Sequence, residues 1–254
     1  VVCFVAVFLV LLTLTPQNYE FLAFASLIAI IGFLKIDEIA YVLMGSLSKS
    51  VMSGNMPFPD QIKGGKRTDT NVSFLEDISS NRSLRMIAFG SFPLYLSLFV
   101  PVAMSGSIYL SDIVAIQQIN GPFLFTVSGF IGAIVFLIGY VILLNEFPFN
   151  IVDAEADVIQ GPYMEFAAGS RAFVYLTRGF LMFTLASVFC VLFLGIPPNI
   201  LSWGILVNIV VAFIFPVIVG ILSAFSPVFT FRQFYPVVIA TSLLGVLAIV
   251  VGLF

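Results

Sequence analysis

The sequence has 254 residues, of which 61% are hydrophobic and 9% are charged, and its formal net charge is −3. A mean hydropathy of +1.16 places it among integral membrane proteins and excludes a soluble one- or two-domain protein. The few charged residues lie between apolar runs and give no basis for nucleic-acid binding. Because the chain contains no histidine, bis-histidine haem is excluded and a zinc or copper centre is not expected. We therefore predict that this chain binds no cofactor itself.

Seven apolar runs follow one another along the chain, each close to the roughly twenty residues that cross a bilayer as a helix. The runs cover residues 1–15, 19–44, 86–110, 123–144, 172–194, 200–222 and 237–254. Prolines within several of them predict bent helices. Residues 112–122 are expected to form a short turn region, and residues 223–236 a loop before the last run. We predict an all-α integral membrane protein, a single domain over residues 1–254 built as a bundle of about seven transmembrane helices.

Two polar segments, residues 45–85 and 146–171, separate these runs. Basic residues concentrate in the first segment, follow the carboxylates of the second, and precede the last run; they include Lys49, Lys63, Lys66, Arg67, Arg82, Arg85, Arg171, Arg178 and Arg232. With seven spans all of these positions share one side of the membrane, and the positive-inside rule makes that side cytoplasmic. We predict a multi-pass protein of the cell membrane with loops 45–85 and 146–171 in the cytoplasm.

The stretch from Asn145 to Arg178 concentrates carboxylates between two spans. These carboxylates are Glu146, Asp153, Glu155, Asp157 and Glu165. Pro148 disfavours helix at the residue before it, so the preceding helix should end or kink near Glu146.

Asp153 and Asp157 would share a helix face, and both their repulsion and their desolvation favour protonated forms. Such a cluster can hold and exchange protons near neutral pH. Arg171 and Arg178 are the natural counter-ions, seven residues apart on the following helix. Two interpretations remain open: a solvated cytoplasmic loop, or an opening through which protons or ions reach the bundle.

Lys35, Asp37 and Glu38 form a second candidate site, because three charges lie well inside the run of residues 19–44. Charged groups at such depth are costly and usually functional. Lys35 and Glu38 are three residues apart and can neutralise each other, so a structural polar patch between helices is one interpretation. The other is a transmembrane continuation of the acidic path.

The run from Pro148 to Glu165 resembles the signature of the ND1-like family, which comprises the H-type membrane component of respiratory complex I and its relatives in membrane-bound hydrogenases. Asp153, Glu155, Asp157 and Gly161 fit the middle of that signature, and Glu165 with the following phenylalanine fits its end. The segments MGSLSKSVMS, RSLRMIAFGSFP and SPVFTFRQFYP are also similar to the family. The resemblance implies an eight-helix fold, and counting back from the signature, this sequence is expected to begin at the second helix.

Three features depart from the quinone-linked members of that family. Glu146 stands where those members usually carry Arg, Asn150 stands where they carry Asp, and the loop of residues 45–85 is longer. With these departures the chain looks more like the membrane-bound hydrogenases, or related sulfur-reducing complexes, of archaea.

The resemblance implies a non-catalytic coupling subunit of a hydrogenase-type oxidoreductase complex, linking electron transfer in a peripheral arm to H⁺ or Na⁺ translocation. Iron–sulfur clusters and a nickel–iron centre would lie in large and small partner subunits, and antiporter-like subunits would adjoin it in the bilayer. The expected ion pathway comprises Glu146, Asp153, Glu155, Asp157, Glu165, Lys35, Asp37 and Glu38. The basic residues Arg67, Arg82 and Arg85 are expected to contact the arm, although lipid headgroups are an equal possibility. Two other functions stay open: a quinone-site subunit of a respiratory NADH dehydrogenase-type complex, and a stand-alone secondary transporter.

Overall fold

The computed structural model describes residues 26–47, 82–151, 168–198 and 203–254. Within these ranges the chain forms seven α-helices. They are α1 (Leu27–Leu47), α2 (Arg82–Ser105), α3 (Leu110–Asn120), α4 (Val127–Leu143), α5 (Ala168–Phe189), α6 (Gly204–Phe225) and α7 (Phe231–Gly252). A π-helical turn, Met86–Gly90, lies inside α2, and a second one, Cys190–Leu194, continues α5.

Six of the seven predicted spans correspond to described helices, and the run of residues 1–15 lies outside the described residues. Helices α2, α6 and α7, and the segment Tyr175–Leu194 of α5, are long and apolar enough to cross a membrane. Helix α4 is apolar but has 17 residues. Helix α1 has 21 residues and carries the three charges noted above. The predicted all-α membrane class is confirmed.

Helix α3 corrects the prediction of a turn region at residues 112–122. Leu110, Ile113, Val114 and Gln117 are buried, and their spacing of three and four residues gives the helix one face toward the core. The helix ends at Gly121, whose φ of 92° is a conformation that favours glycine. The apolar content of this segment is moderate, and the burial of one face is what stabilises it.

The last helix also begins earlier than predicted, at Phe231 instead of residue 237. Thr230 and Gln233 form a capping box, in which each side chain bonds to the other residue's backbone N–H. This reciprocal cap satisfies two backbone donors that a helix start otherwise leaves open. The loop before α7 is therefore limited to residues 226–230.

Helices α2, α4 and α7 pack against one another and form the centre of the bundle. Gly139 of α4 permits the close approach to α2, since a Cβ at this position would lie 2.6 Å from the backbone nitrogen of Leu94. Aromatic rings join α4 to α5 and α6: Phe136 and Phe189 have centroids 5.3 Å apart, and Phe189 and Phe215 are 5.0 Å apart. The described helices thus share one continuous apolar core.

Helix α1 joins this core through one face. Leu27, Ile30 and Leu34 are almost fully buried, and Glu38 continues the same row at the same spacing. The backbone N–H of Leu27 donates to the carbonyl of Ile108 at 3.1 Å, which fixes one end of α1 to the segment between α2 and α3. Because α1 is bound along this face, Glu38 faces the bundle.

Candidate functional site

Glu38 is a carboxylate buried about midway along α1, with 7% of its side chain exposed. Its Oε2 accepts a hydrogen bond from Lys35 Nζ at 2.5 Å, and its Oε1 accepts one from the Tyr95 hydroxyl at 3.1 Å. A buried carboxylate is tolerated when it is paired and its oxygen lone pairs are satisfied. Glu38 meets both conditions through one residue of its own helix and one of α2.

Helix α2 supplies the rest of this polar cluster. Lys35 Nζ donates to Ser91 Oγ at 2.8 Å and lies 4.8 Å from the centroid of the Tyr95 ring. Ser91 Oγ donates to the carbonyl of Ile87 at 2.6 Å, and Lys35 Nζ lies 3.5 Å from the same carbonyl oxygen. Ile87 belongs to the π-helical turn of α2, where the usual backbone hydrogen-bond pattern is shifted. We refer to Lys35, Glu38, Ile87, Ser91 and Tyr95 as the α1–α2 cluster.

The α1–α2 cluster lies deep in the bundle. Glu38 is nine residues before the end of α1 at Leu47, and Ser91 is nine residues after the start of α2 at Arg82. At the rise of an α-helix, nine residues correspond to about 14 Å. That distance is about half the thickness of a bilayer hydrocarbon core of roughly 30 Å.

A second ion pair lies where α4 ends. Arg178 Nη2 of α5 is 3.0 Å from Glu146 Oε1, and the two side chains are 33% and 26% exposed. The same nitrogen also donates to the carbonyl of Leu144 and lies 3.5 Å from the carbonyl oxygen of Asn145. Arg178 therefore closes the C-terminus of α4, where carbonyl groups lack intrahelical partners.

The chain after Glu146 is fastened to the neighbouring helices. Pro148, preceded by a cis peptide bond, accepts a hydrogen bond from the N–H of Phe229 at 2.8 Å. The ring of Phe149 packs against Phe229 and Phe234, with centroids 5.5 and 6.1 Å apart.

Arg82, at the start of α2, donates to the carbonyl of Ile151 at 3.4 Å. The first residues of the acidic stretch therefore lie at the end of the bundle where α2 begins, which is also the end where α1 finishes.

Of the predicted pathway residues, the structure brings Lys35 and Glu38 together and pairs Glu146 with Arg178. The residues that lie outside the described ranges are Arg67, Asp153, Glu155, Asp157 and Glu165, and the side chains of Asp37 and Arg171 are not described. Arg82 and Arg85 make contacts within the chain, since Arg85 stacks 5.9 Å from the ring centroid of Phe231. Their contact with a peripheral arm stays a prediction.

Two residues of the α1–α2 cluster were not identified from the sequence, Ser91 and Tyr95. Each is a single hydroxyl inside an apolar run, a pattern with many structural explanations. Their position nine and thirteen residues into α2 matches the depth of Glu38 once α1 and α2 are antiparallel. That arrangement was the available signal, because two successive spans joined by a loop are antiparallel neighbours.

Comparisons with known proteins agree with this architecture. The NADH dehydrogenase family matches residues 76–253. An uncharacterised protein of Methanocaldococcus jannaschii is 42% identical over 227 residues, which cover 89% of this chain and 69% of that protein. The H-type membrane component of the NADH-quinone oxidoreductase of Bacillus thuringiensis is 32% identical over 168 residues, covering 66% of this chain and 48% of that protein. The match thus spans about half the length of the Bacillus protein.

A solved structure of an archaeal respiratory complex, the membrane-bound sulfane sulfur reductase, contains a chain with the same fold. The two chains superpose with a TM-score of 0.76 at 20% identity, covering 98% of this chain and 77% of the other. At this identity the likeness concerns the fold. Together with the family match over more than half of the sequence, it shows that this chain belongs to the NADH dehydrogenase family of ND1-like membrane proteins.

Proposed function

We propose that this chain is the coupling subunit of a complex I-like energy-converting membrane complex. In this proposal electron transfer in a peripheral arm changes the electrostatic potential at the acidic stretch. Protons or sodium ions then move between that stretch and the α1–α2 cluster, and the change passes to antiporter-like subunits in the bilayer. The chain itself carries no redox centre in this scheme.

The observation that carries the proposal is the burial of the Lys35–Glu38 pair about 14 Å from the bundle end where the acidic stretch starts. A lone structural ion pair gains little stability at such depth, since desolvation offsets most of its attraction. Intramembrane charges of this kind usually mark ion or proton pathways. Family membership supports the same conclusion, because the matched region contains the acidic stretch and α2.

Electrostatics makes coupling over this distance reasonable. Two unit charges about 14 Å apart interact by roughly 1.2 kcal/mol at an effective dielectric constant of about 20. That energy changes an equilibrium constant nearly tenfold. A carboxylate that gains or loses its charge in the acidic stretch would thus change the ion occupancy at Glu38 by about one order of magnitude.

The partners in this proposal are large and small hydrogenase-like subunits carrying iron–sulfur clusters and a nickel–iron centre. Glu146 supports a hydrogenase-type or sulfur-reducing complex, since it departs from the Arg of quinone-linked members, and its charge is balanced within the chain by Arg178. The terminal acceptor is then a proton or sulfur.

The coupling role is tested with the acidic stretch in the intact complex reconstituted into liposomes. Asp157→Asn and Glu165→Gln should each leave electron transfer to a soluble acceptor near the wild-type rate and abolish most ion uptake. Asp112→Asn is the matched control, because Asp112 is exposed and hydrogen-bonds Ser107 Oγ at 2.6 Å on another part of the chain. Wild-type ion uptake in both variants of the stretch would contradict the assignment.

A second candidate function is a quinone-site subunit. It is favoured by the 32% identity with a protein named for NADH-quinone oxidoreductase. Extraction of the purified complex distinguishes the two: stoichiometric quinone with quinone-dependent turnover supports this candidate, and a quinone-free complex that turns over with protons or sulfur supports the first.

A further inference from the structure

We propose that the α1–α2 cluster is a binding site for a monovalent alkali cation, and that the ammonium group of Lys35 is its tethered occupant in this structure. When Lys35 withdraws, Na⁺ or K⁺ takes the place of the ammonium group. The inference rests on the proposed function only for the transport role of the site, because cation binding is measured without turnover and the two can fail separately.

The atoms around Lys35 Nζ form an oxygen donor set. Glu38 Oε2 lies at 2.5 Å, Ser91 Oγ at 2.8 Å and the Ile87 carbonyl oxygen at 3.5 Å. A carboxylate, a hydroxyl and a backbone carbonyl are the ligand types that hard cations prefer. Carbonyls freed by irregular helix turns supply such ligands in membrane transport sites, and Ile87 lies in the π-helical turn.

The charge count favours a monovalent ion. Glu38 is the one carboxylate that the described side chains place at Lys35 Nζ, and a single positive charge balances it. A divalent ion would leave a net positive charge at low dielectric, which is costly. Among the described residues, no group of three or more His, Cys, Asp or Glu side chains could hold a transition metal or a divalent ion.

The two side chains of the pair differ in their freedom to move. Glu38 is 7% exposed and fixed from the other side by the Tyr95 hydroxyl, whereas Lys35 is 36% exposed. A lysine side chain can extend along an apolar surface and place its ammonium group elsewhere. Exchange of the ammonium group for Na⁺ or K⁺ keeps the charge beside Glu38 unchanged, so the site stays neutral in both states.

Variants of the intact complex test the site through cation-dependent thermal stabilisation, with Na⁺ and K⁺ titrated separately against choline. Lys35→Met removes the competing ammonium group and should tighten the apparent affinity for one of the two ions at least tenfold, since a unit charge a few ångströms away is removed. Adding Ser91→Ala to that variant should weaken the ion's binding. Glu38→Gln should abolish the response, and Asp112→Asn should behave as wild type.

Lysine labelling of the wild-type complex provides a second measurement in case Lys35→Met does not assemble. The favoured ion should raise the rate at which an amine-reactive reagent modifies Lys35, measured by mass spectrometry relative to a choline sample. An assembled Lys35→Met complex without any Na⁺ or K⁺ response overturns the proposal. An unchanged labelling rate of Lys35 at saturating Na⁺ and K⁺ overturns it as well.

Discussion

The loss of Arg178 should destabilise the junction between α4 and the acidic stretch far more than the loss of its ion-pair partner. The guanidinium donates to the Leu144 carbonyl and contacts that of Asn145, in addition to pairing with Glu146. A hydrogen bond from a charged donor contributes roughly 1.5–3 kcal/mol. Since Arg178 is one-third exposed, we expect Arg178→Met to lower the free energy of unfolding by about 2–3 kcal/mol.

The ion pair itself contributes less. Both charges are between a quarter and a third exposed, and such pairs contribute about 0.2–1 kcal/mol. Glu146→Gln should therefore cost less than half of what Arg178→Met costs. The free energies come from denaturant titrations of the detergent-solubilised protein followed by circular dichroism, with Arg232→Met as a control at an exposed position of α7. A Glu146→Gln cost equal to or above that of Arg178→Met would refute the capping role.

Three further substitutions probe the packing that supports the site, in the same titration. Gly139→Ala should cost about 1–3 kcal/mol, because its Cβ would lie 2.6 Å from the backbone of Leu94, whereas Gly220→Ala, with no atom within 4 Å, should be neutral or stabilising; equal effects would contradict the close α2–α4 contact. Tyr95→Phe should cost about 1–3 kcal/mol, since it removes one of the donors to the buried Glu38 carboxylate, and an unchanged midpoint would count against that bond. Gln117→Leu should cost about 2–4 kcal/mol, because the amide donates to two buried carbonyls of the π-helical turn after α5, and a neutral result would mean that these carbonyls find other partners.

The helical membrane architecture could be predicted from sequence because it depends on long apolar runs, which have few structural alternatives. The burial of Glu38 followed from the same kind of pattern, since it continues the row of Leu27, Ile30 and Leu34 along one face of α1. Helix α3 could not be predicted in this way. Its stability comes from burying one face against the rest of the bundle, a tertiary contact that a short stretch of sequence does not display.

The contacts of the α1–α2 cluster depended on information that the sequence does not contain. Ser91 and Tyr95 reach the Lys35–Glu38 pair because the depths of α1 and α2 match and because a π-helical turn changes which residues of α2 face α1. The sequence also identified Arg178 as a counter-ion and missed its bonds to the end of α4. Both omissions concern side chains whose role is set by the position of a neighbouring helix.

The number of ions translocated per electron in the Glu38→Gln complex tests the central claim most directly. Electron transfer and ion uptake are measured together in proteoliposomes, with Asp112→Asn as the exposed-carboxylate control. The coupling proposal predicts that Glu38→Gln keeps electron transfer and loses most ion uptake, while the control keeps both. An unchanged ratio of ions to electrons in Glu38→Gln would contradict it and would leave the buried pair as a structural feature of the bundle.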